Sequence, residues 1–304
     1  MESLKIQLKQ KQVWLPSAAL LLSFLLLIGC SMVFDYLFSR VPSVGVIVDE
    51  LLAFGIPALM LYLLRDERFP VRPRMERRKG YFLQYFGFAV KFGLMVSLLS
   101  FLANLLVYVL TGSSQITLSS VISATSVGSK YSILSFIAIV VVPPVVEEIF
   151  LRGMLFSSME NVAGTGLCIF MSGLCFAFLH GDLLNFVGPF IAGCAYAFLS
   201  YSFDSLWPAV LAHFVNNLYY YIINHLVSLY SSFGIWQYFT FINFILFLLM
   251  LYFTLRSLEV QIQHNKLLPF RPGRARLRDS VSDLIGTPGF FIFIVAFFFK
   301  IIFT

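Results

Sequence analysis

Two glutamates, two histidines, an asparagine and an arginine stand in three short apolar stretches of this chain: "VVEEIFLRG" (145–153), "FAFLH" (176–180) and "HFVNN" (213–217). Glu148 and Arg152 are spaced i, i+4, so on a helix they share a face and can pair, each lowering the cost of burying the other. Glu147 projects about 100° away round the same helix, so one arginine does not serve both carboxylates equally. A carboxylate left without a countercharge in a low-dielectric site is a candidate general acid or base. Phe176 and His180, and His213 and Asn217, repeat the four-residue spacing elsewhere. A glutamate and a histidine can together take a proton from water, aim the water at a peptide carbonyl and protonate the leaving amine. A second histidine and an asparagine amide can donate hydrogen bonds to the oxyanion that forms. A serine-based route has little support, because Ser157 and Ser172 lack a triad context and no G-x-S-x-G occurs.

These residues matter because of what surrounds them. The chain has 304 residues, 59% hydrophobic and 12% charged, where soluble domains carry about 25% charged residues. Apolar stretches near 14–34, 44–64, 82–110, 132–159, 164–183, 186–202, 206–227, 235–255 and 289–303 predict an all-α polytopic membrane protein. About eight spans are expected, nine if the last short segment crosses, with the site in the membrane core. The reading is of one membrane domain over 1–304, with its chemistry in 130–220. A charge at the bilayer centre costs at least ~2.5–3.5 kcal/mol, so three within six positions need a structural excuse or a function.

Basic residues set the expected orientation. Lys5, Lys9 and Lys11, the loop 65–80 and the segment 256–288 together hold sixteen of the 21 Lys and Arg. The spans between them put all three on one face, read as cytoplasmic, with the N-terminus there too. The net charge of +6 then belongs to loops facing anionic lipid headgroups, and no nucleic-acid motif competes. An integral position in a bacterial plasma membrane is expected. "LLLIGC" (25–30) imitates a lipoprotein box, but the apolar run continues past Cys30, as an uncleaved helix would. Cys168, Cys175 and Cys194 read as buried thiols acting as small hydrophobes.

Other polar residues have simpler readings. Asp49, Glu50 and Lys91 are expected to reach an interface or pair with one another, since charges near span ends are cheap. Asp35 and Asp182 lie at span ends, and Lys300 can snorkel. Pro143 and Pro144 are expected to bend the segment before Glu147 and open space for water.

The three stretches resemble the E-E-x-x-x-R, F-x-x-x-H and H-x-x-x-N motifs of the CAAX protease and bacteriocin-processing (Abi) family, which includes the type II CAAX prenyl endopeptidases. The motifs occur in the family's order, with 33 residues from Glu147 to His180 and 33 from His180 to His213. Leu151 departs from the phenylalanine the family often places before the arginine. The resemblance covers roughly 130–220 and implies a helical membrane core holding an intramembrane endopeptidase of glutamic type. It implies Glu147 as the catalytic glutamate, His180 as its helper in activating water, His213 and Asn217 as oxyanion donors, and Glu148–Arg152 as the supporting ion pair. It implies a membrane-associated or lipid-proximal peptide or protein as substrate, and neither cofactor nor metal. Two alternatives stay open on the residues alone. One is a zinc peptidase with Glu147, His180 and His213 as ligands, although H-E-x-x-H is absent. The other is a transporter, scaffold or immunity protein without turnover.

Overall fold

In lipid a backbone must satisfy its own polar groups, so long apolar runs have the helix as their one open-chain solution. The computed structural model describes residues 2–64, 82–111, 132–229, 235–264, 266–273 and 277–303, and among these it contains helices and no strand. The helices are α1 (Glu2–Leu37), α2 (Pro42–Leu64), α3 (Phe82–Leu110), the composite α4 (133–163), α5 (Thr165–His180), α6 (Val187–Ser202), α7 (Trp207–Leu229), α8 (Ile235–Gln263), α9 (Leu277–Ile285) and α10 (Pro288–Phe303).

All nine apolar stretches are helical, and five stretches are long and apolar enough to cross a bilayer: Val13–Phe34, Pro42–Leu64, Tyr85–Leu110, Ile133–Glu160 and Tyr238–Gln263. The expected count of eight or nine goes beyond this. Helices α5, α6 and α10 have 16 residues each, about 24 Å of rise against a hydrocarbon core of ~30 Å. Helix α7 has 23 residues, but His213, Asn216, Asn217, Asn224 and His225 dilute its apolar character. The loop 65–80 and the uncharged stretch before Lys130 (112–129), between the third and fourth apolar stretches, lie outside the described residues. The segment 256–288 differs from a plain linker. Helix α8 runs on to Gln263, supported by an Arg256–Glu259 pair at 2.7 Å, and α9 forms within the basic stretch. Between them the chain is fastened down: Leu268 N–H donates to Ser202 O at 2.9 Å and Tyr201 Oη to Pro269 O at 2.7 Å.

Helix α4 sits centrally, packed on α1, α2, α5, α6 and α7. It is not a uniform helix. α-Helical Ile133–Phe136, Val142–Glu148 and Ser157–Ala163 alternate with wider π-helical turns at Ile137–Val141 and Ile149–Phe156. The prolines explain the first widening. The carbonyl of Ile139 would accept from residue 143 in an α-turn or from residue 144 in a π-turn, and both are proline without an N–H. The second π-turn carries Arg152.

Close helix crossings set the positions of the others. A Cβ on Gly93 of α3 would lie 2.7 Å from the carbonyl oxygen of Ala212 on α7, and one on Gly193 of α6 would lie 2.8 Å from the Cα of Gly173 on α5. Small residues at such points let backbones touch where lipid supplies no hydrophobic drive. On the outside, α8 exposes Phe241, Ile245, Leu249 and Tyr252, an apolar face suited to lipid. Helix α10 joins the core through Phe24–Phe293 and Phe178–Phe297 ring contacts at 5.2 and 4.8 Å.

Gly93→Leu should force α3 away from α7 and cost about 1–3 kcal/mol, seen as a lowered melting temperature in detergent. Gly87→Ala, where a Cβ meets nothing within 4 Å, should leave it close to the parent value.

Candidate active site

Among the described residues Arg152 is the largest fully buried side chain. Its guanidinium is used in two directions: Nη1 donates to Glu148 Oε1 at 2.8 Å, and Nη2 to the Gly193 carbonyl of α6 at 2.8 Å. The aromatic rings of Phe176 and Tyr196 lie 4.9 and 5.5 Å from its central carbon, within cation–π range. The bond to Gly193 depends on the close α5–α6 crossing, because that carbonyl is presented where a larger residue would hold the helices apart.

Glu148 Oε1 also accepts from His213 Nδ1 at 3.0 Å. Donation through Nδ1 points Nε2 the other way, and there it lies 4.0 Å from Glu147 Oε2. Tyr196 stacks on the His213 imidazole, centroids 4.8 Å apart and planes 15° apart. His213 is thus held by a carboxylate on one edge and a ring on one face. Its position along α7 follows from Ala212, the residue pressed against Gly93.

Glu147 is treated differently from its neighbour. Glu148 is 0% exposed and bonded twice; Glu147 is 7% exposed and makes no hydrogen bond to a described residue. The separation of 4.0 Å to His213 Nε2 exceeds a hydrogen bond but fits one water touching both at about 2.8 Å.

His180 closes α5 just before Gly181, whose φ of 66° ends the helix in a left-handed turn. Its Nδ1 donates to the Phe176 carbonyl at 2.8 Å, since a carbonyl only accepts. The neutral ring then presents Nε2 as a lone pair. Phe176 separates the two histidines, its ring 4.5 Å from His180 and 5.5 Å from His213. Lys300 of α10 lies against Gly181, where a cation complements the negative end of α5.

Asn217 is one turn beyond His213 on α7, and its side-chain amide donates to Ile139 O at 2.9 Å. This is the carbonyl that the two prolines leave without a backbone donor. The amide has a second N–H.

Structure therefore joins Glu148, Arg152 and His213 by hydrogen bonds, sets Glu147 beside His213, and links His180 through Phe176. Asn217 is bonded to the α4 backbone instead of to any of these side chains. Among the described residues, no three His, Cys, Asp or Glu side chains are grouped to hold a metal ion. Lys91 pairs with neither Asp49 nor Glu50; its Nζ donates to Ser257 Oγ of α8. Asp182 accepts from the N–H groups of Leu184 and Asn185 at 2.9 and 3.4 Å, an Asx-type turn that shapes the α5–α6 connection.

Residues 129–219 match the family model of the Rce1-like type II CAAX prenyl endopeptidases. No curated protein and no solved structure matches the chain. The matched segment takes in α4 to α6 and the first half of α7, and so every side chain of the cluster. The match suggests a membrane CAAX endopeptidase. Tyr196 and the Gly193 carbonyl, both inside the Rce1-like segment, escaped the sequence reading. Tyr196 occurs in an ordinary apolar run, and a carbonyl has no sequence signature.

Glu148→Leu would strand the Arg152 guanidinium and should cost about 3–5 kcal/mol. Arg152→Lys keeps the charge but cannot donate in both directions, and should recover only part of that loss. Thermal unfolding in detergent measures both; unchanged melting in the two variants would remove the pair from its supporting role.

Proposed function

We propose that this protein is an intramembrane endopeptidase of glutamic type, acting on membrane-associated or lipid-proximal peptides. One observation carries the reading. Of two adjacent buried glutamates, Glu148 is consumed by Arg152 and His213, while Glu147 is held beside the His213 imidazole with its carboxylate uncommitted.

Glu147 takes a proton from a water molecule as the water oxygen bonds to the scissile carbonyl carbon. His180, with Nε2 as its open lone pair, helps to hold that water. The oxyanion is met by His213 Nε2 and the second N–H of Asn217. With Nδ1 already donating to Glu148, His213 donates from Nε2 only when it enters the step as an imidazolium, its second proton taken up from solvent beforehand, and Glu148 is the group that stabilises that charge. The C–N bond then breaks and the amine nitrogen takes the proton held on Glu147. Buried donors fixed in advance need no reorganisation at that moment, and little solvent competes with them. The N-terminus and the basic loops are assigned to the cytoplasmic face of a bacterial plasma membrane, consistent with the K/R bias.

The test uses purified protein in detergent with a farnesylated CAAX peptide carrying a quenched fluorophore. Glu147→Ala and His180→Ala should each abolish cleavage, at least about a thousandfold, with helicity and melting retained. Asn217→Ala should lower kcat by about 10²–10³. Cleavage by folded Glu147→Ala protein would sink the proposal. Loss of activity on exhaustive chelation, with zinc restoring it, would favour the zinc alternative. Proton flux in proteoliposomes that disappears with Glu147, without peptide cleavage, would favour a transporter.

A further inference from the structure

Glu50 of α2 does not sit where a cheap interfacial charge would. The buried residues Ala53, Phe54, Pro57, Ala58 and Leu61 form a helical stripe, and Glu50 falls on it, three residues before Ala53 and four before Phe54. Ser43, seven residues earlier, lies on the same stripe. That face meets α4 at two points. Ser43 Oγ is 3.0 Å from Ser135 Oγ, and the Phe54 and Phe150 rings are 5.9 Å apart. Residue 43 meets 135 and residue 54 meets 150, so the two helices run in the same direction. Glu50 precedes the phenylalanine contact by about 6 Å of rise and Glu147 precedes it by about 4.5 Å. Measured from the phenylalanine contact, which is the nearer of the two, the carboxyl groups come to about one level on facing helices.

Two further observations agree. Glu50 Oε2 is buried without a hydrogen-bond partner among the described residues, which in a native structure calls for a functional or solvent partner. Helix α2 also packs directly on the Val142–Glu148 and Ile149–Phe156 segments of α4. The ionisable groups of this region are Asp49 beside Glu50, Cys30 of α1 near Asp49, Glu147, Glu148 and Arg152 of α4, Tyr196 of α6, and His213 of α7, whose Nε2 is 4.0 Å from Glu147 Oε2. Arg152 is already bonded to Glu148 and Gly193, so among the described residues His213, 4.0 Å from Glu147 Oε2, brings at most one positive charge to the two carboxyl groups Glu50 and Glu147.

We infer that Glu50 and Glu147 work as a carboxyl pair holding one proton, with Glu50 donating toward the water that Glu147 activates. Like charges this close in a dry site do not both ionise. The inference deepens the peptidase reading and rests on it. In the step itself a water O–H bond breaks toward Glu147, the water oxygen bonds to the carbonyl carbon, and the amine later leaves with that proton. Glu50 keeps its own proton throughout, so its acid form is the working one.

Glu50→Gln keeps a neutral donor of the same shape; Glu50→Leu keeps none. With the farnesylated CAAX peptide, Glu50→Leu should lower kcat at least about tenfold with KM little changed. Glu50→Gln should keep most of the activity and flatten the alkaline limb of the kcat–pH profile, because an amide has no proton to lose; the acid limb should stay. Infrared spectra give a readout independent of turnover. At neutral pH the parent should show a buried protonated-carboxyl band that Glu50→Gln removes. Parent-like kcat in Glu50→Leu, an unchanged alkaline limb in Glu50→Gln, or an unchanged infrared band would each overturn the pair. If Glu50→Leu does not fold, the Gln variant and the spectra still decide. A parent that cleaves no peptide yet shows the band would defeat the peptidase reading and leave the carboxyl pair standing.

Discussion

The arrangement depends on a guanidinium buried to 0% exposure in the middle of a membrane helix. Removing an arginine from water is costly, and one carboxylate at 2.8 Å does not by itself recover that cost. The surroundings add a backbone carbonyl from α6 and two aromatic rings. In meeting the needs of Arg152, the fold ties α4 to α5, α6 and α7 at one level. Glu148 then passes the constraint on to His213. A charge that is expensive to bury has become the point from which the positions of four helices are set.

The same economy governs α4 itself. Two successive prolines remove two N–H donors, and the Ile139 carbonyl has no partner in either helical register. Asn217 reaches across from α7 to supply one. A single amide thus repairs the backbone and keeps a second N–H in hand. Its removal therefore carries a structural cost, since the π-turn and the asparagine depend on each other. The glycines act in a complementary way: Gly93 and Gly193 let backbones approach closely enough for side chains of ordinary length to meet.

Proximity without bonding is what separates the two glutamates. Both are buried, both are on one turn, and they differ by about 100° of rotation. Glu148 reaches Arg152 and His213 Nδ1, while Glu147 lies 4.0 Å from His213 Nε2 without a hydrogen bond to a described residue. This division commits one carboxylate to holding the helices and leaves the other uncommitted.

Much of this was legible in the linear chain because it is local. Apolar runs specify helices wherever lipid is the solvent, and four-residue spacing puts Glu148 with Arg152 and Phe176 with His180 whatever surrounds them. Pro143 and Pro144 announce a disturbed helix. Span number was less legible, since 16-residue helices and the polar face of α7 do not meet the length and apolarity of a full crossing. The partners across helices were not legible at all: Gly193 O for Arg152, Ile139 O for Asn217, Tyr196 over His213, and α4 opposite Glu50. In a soluble protein the apolar stripe tells which face turns inward. In a membrane both faces of α2 are apolar, because lipid is as apolar as the core, so Glu50 looked like a charge near a span end. Helix rotation and crossing are decided by close contacts between small residues and by pairing of buried polar groups, and these exist only once the helices are assembled.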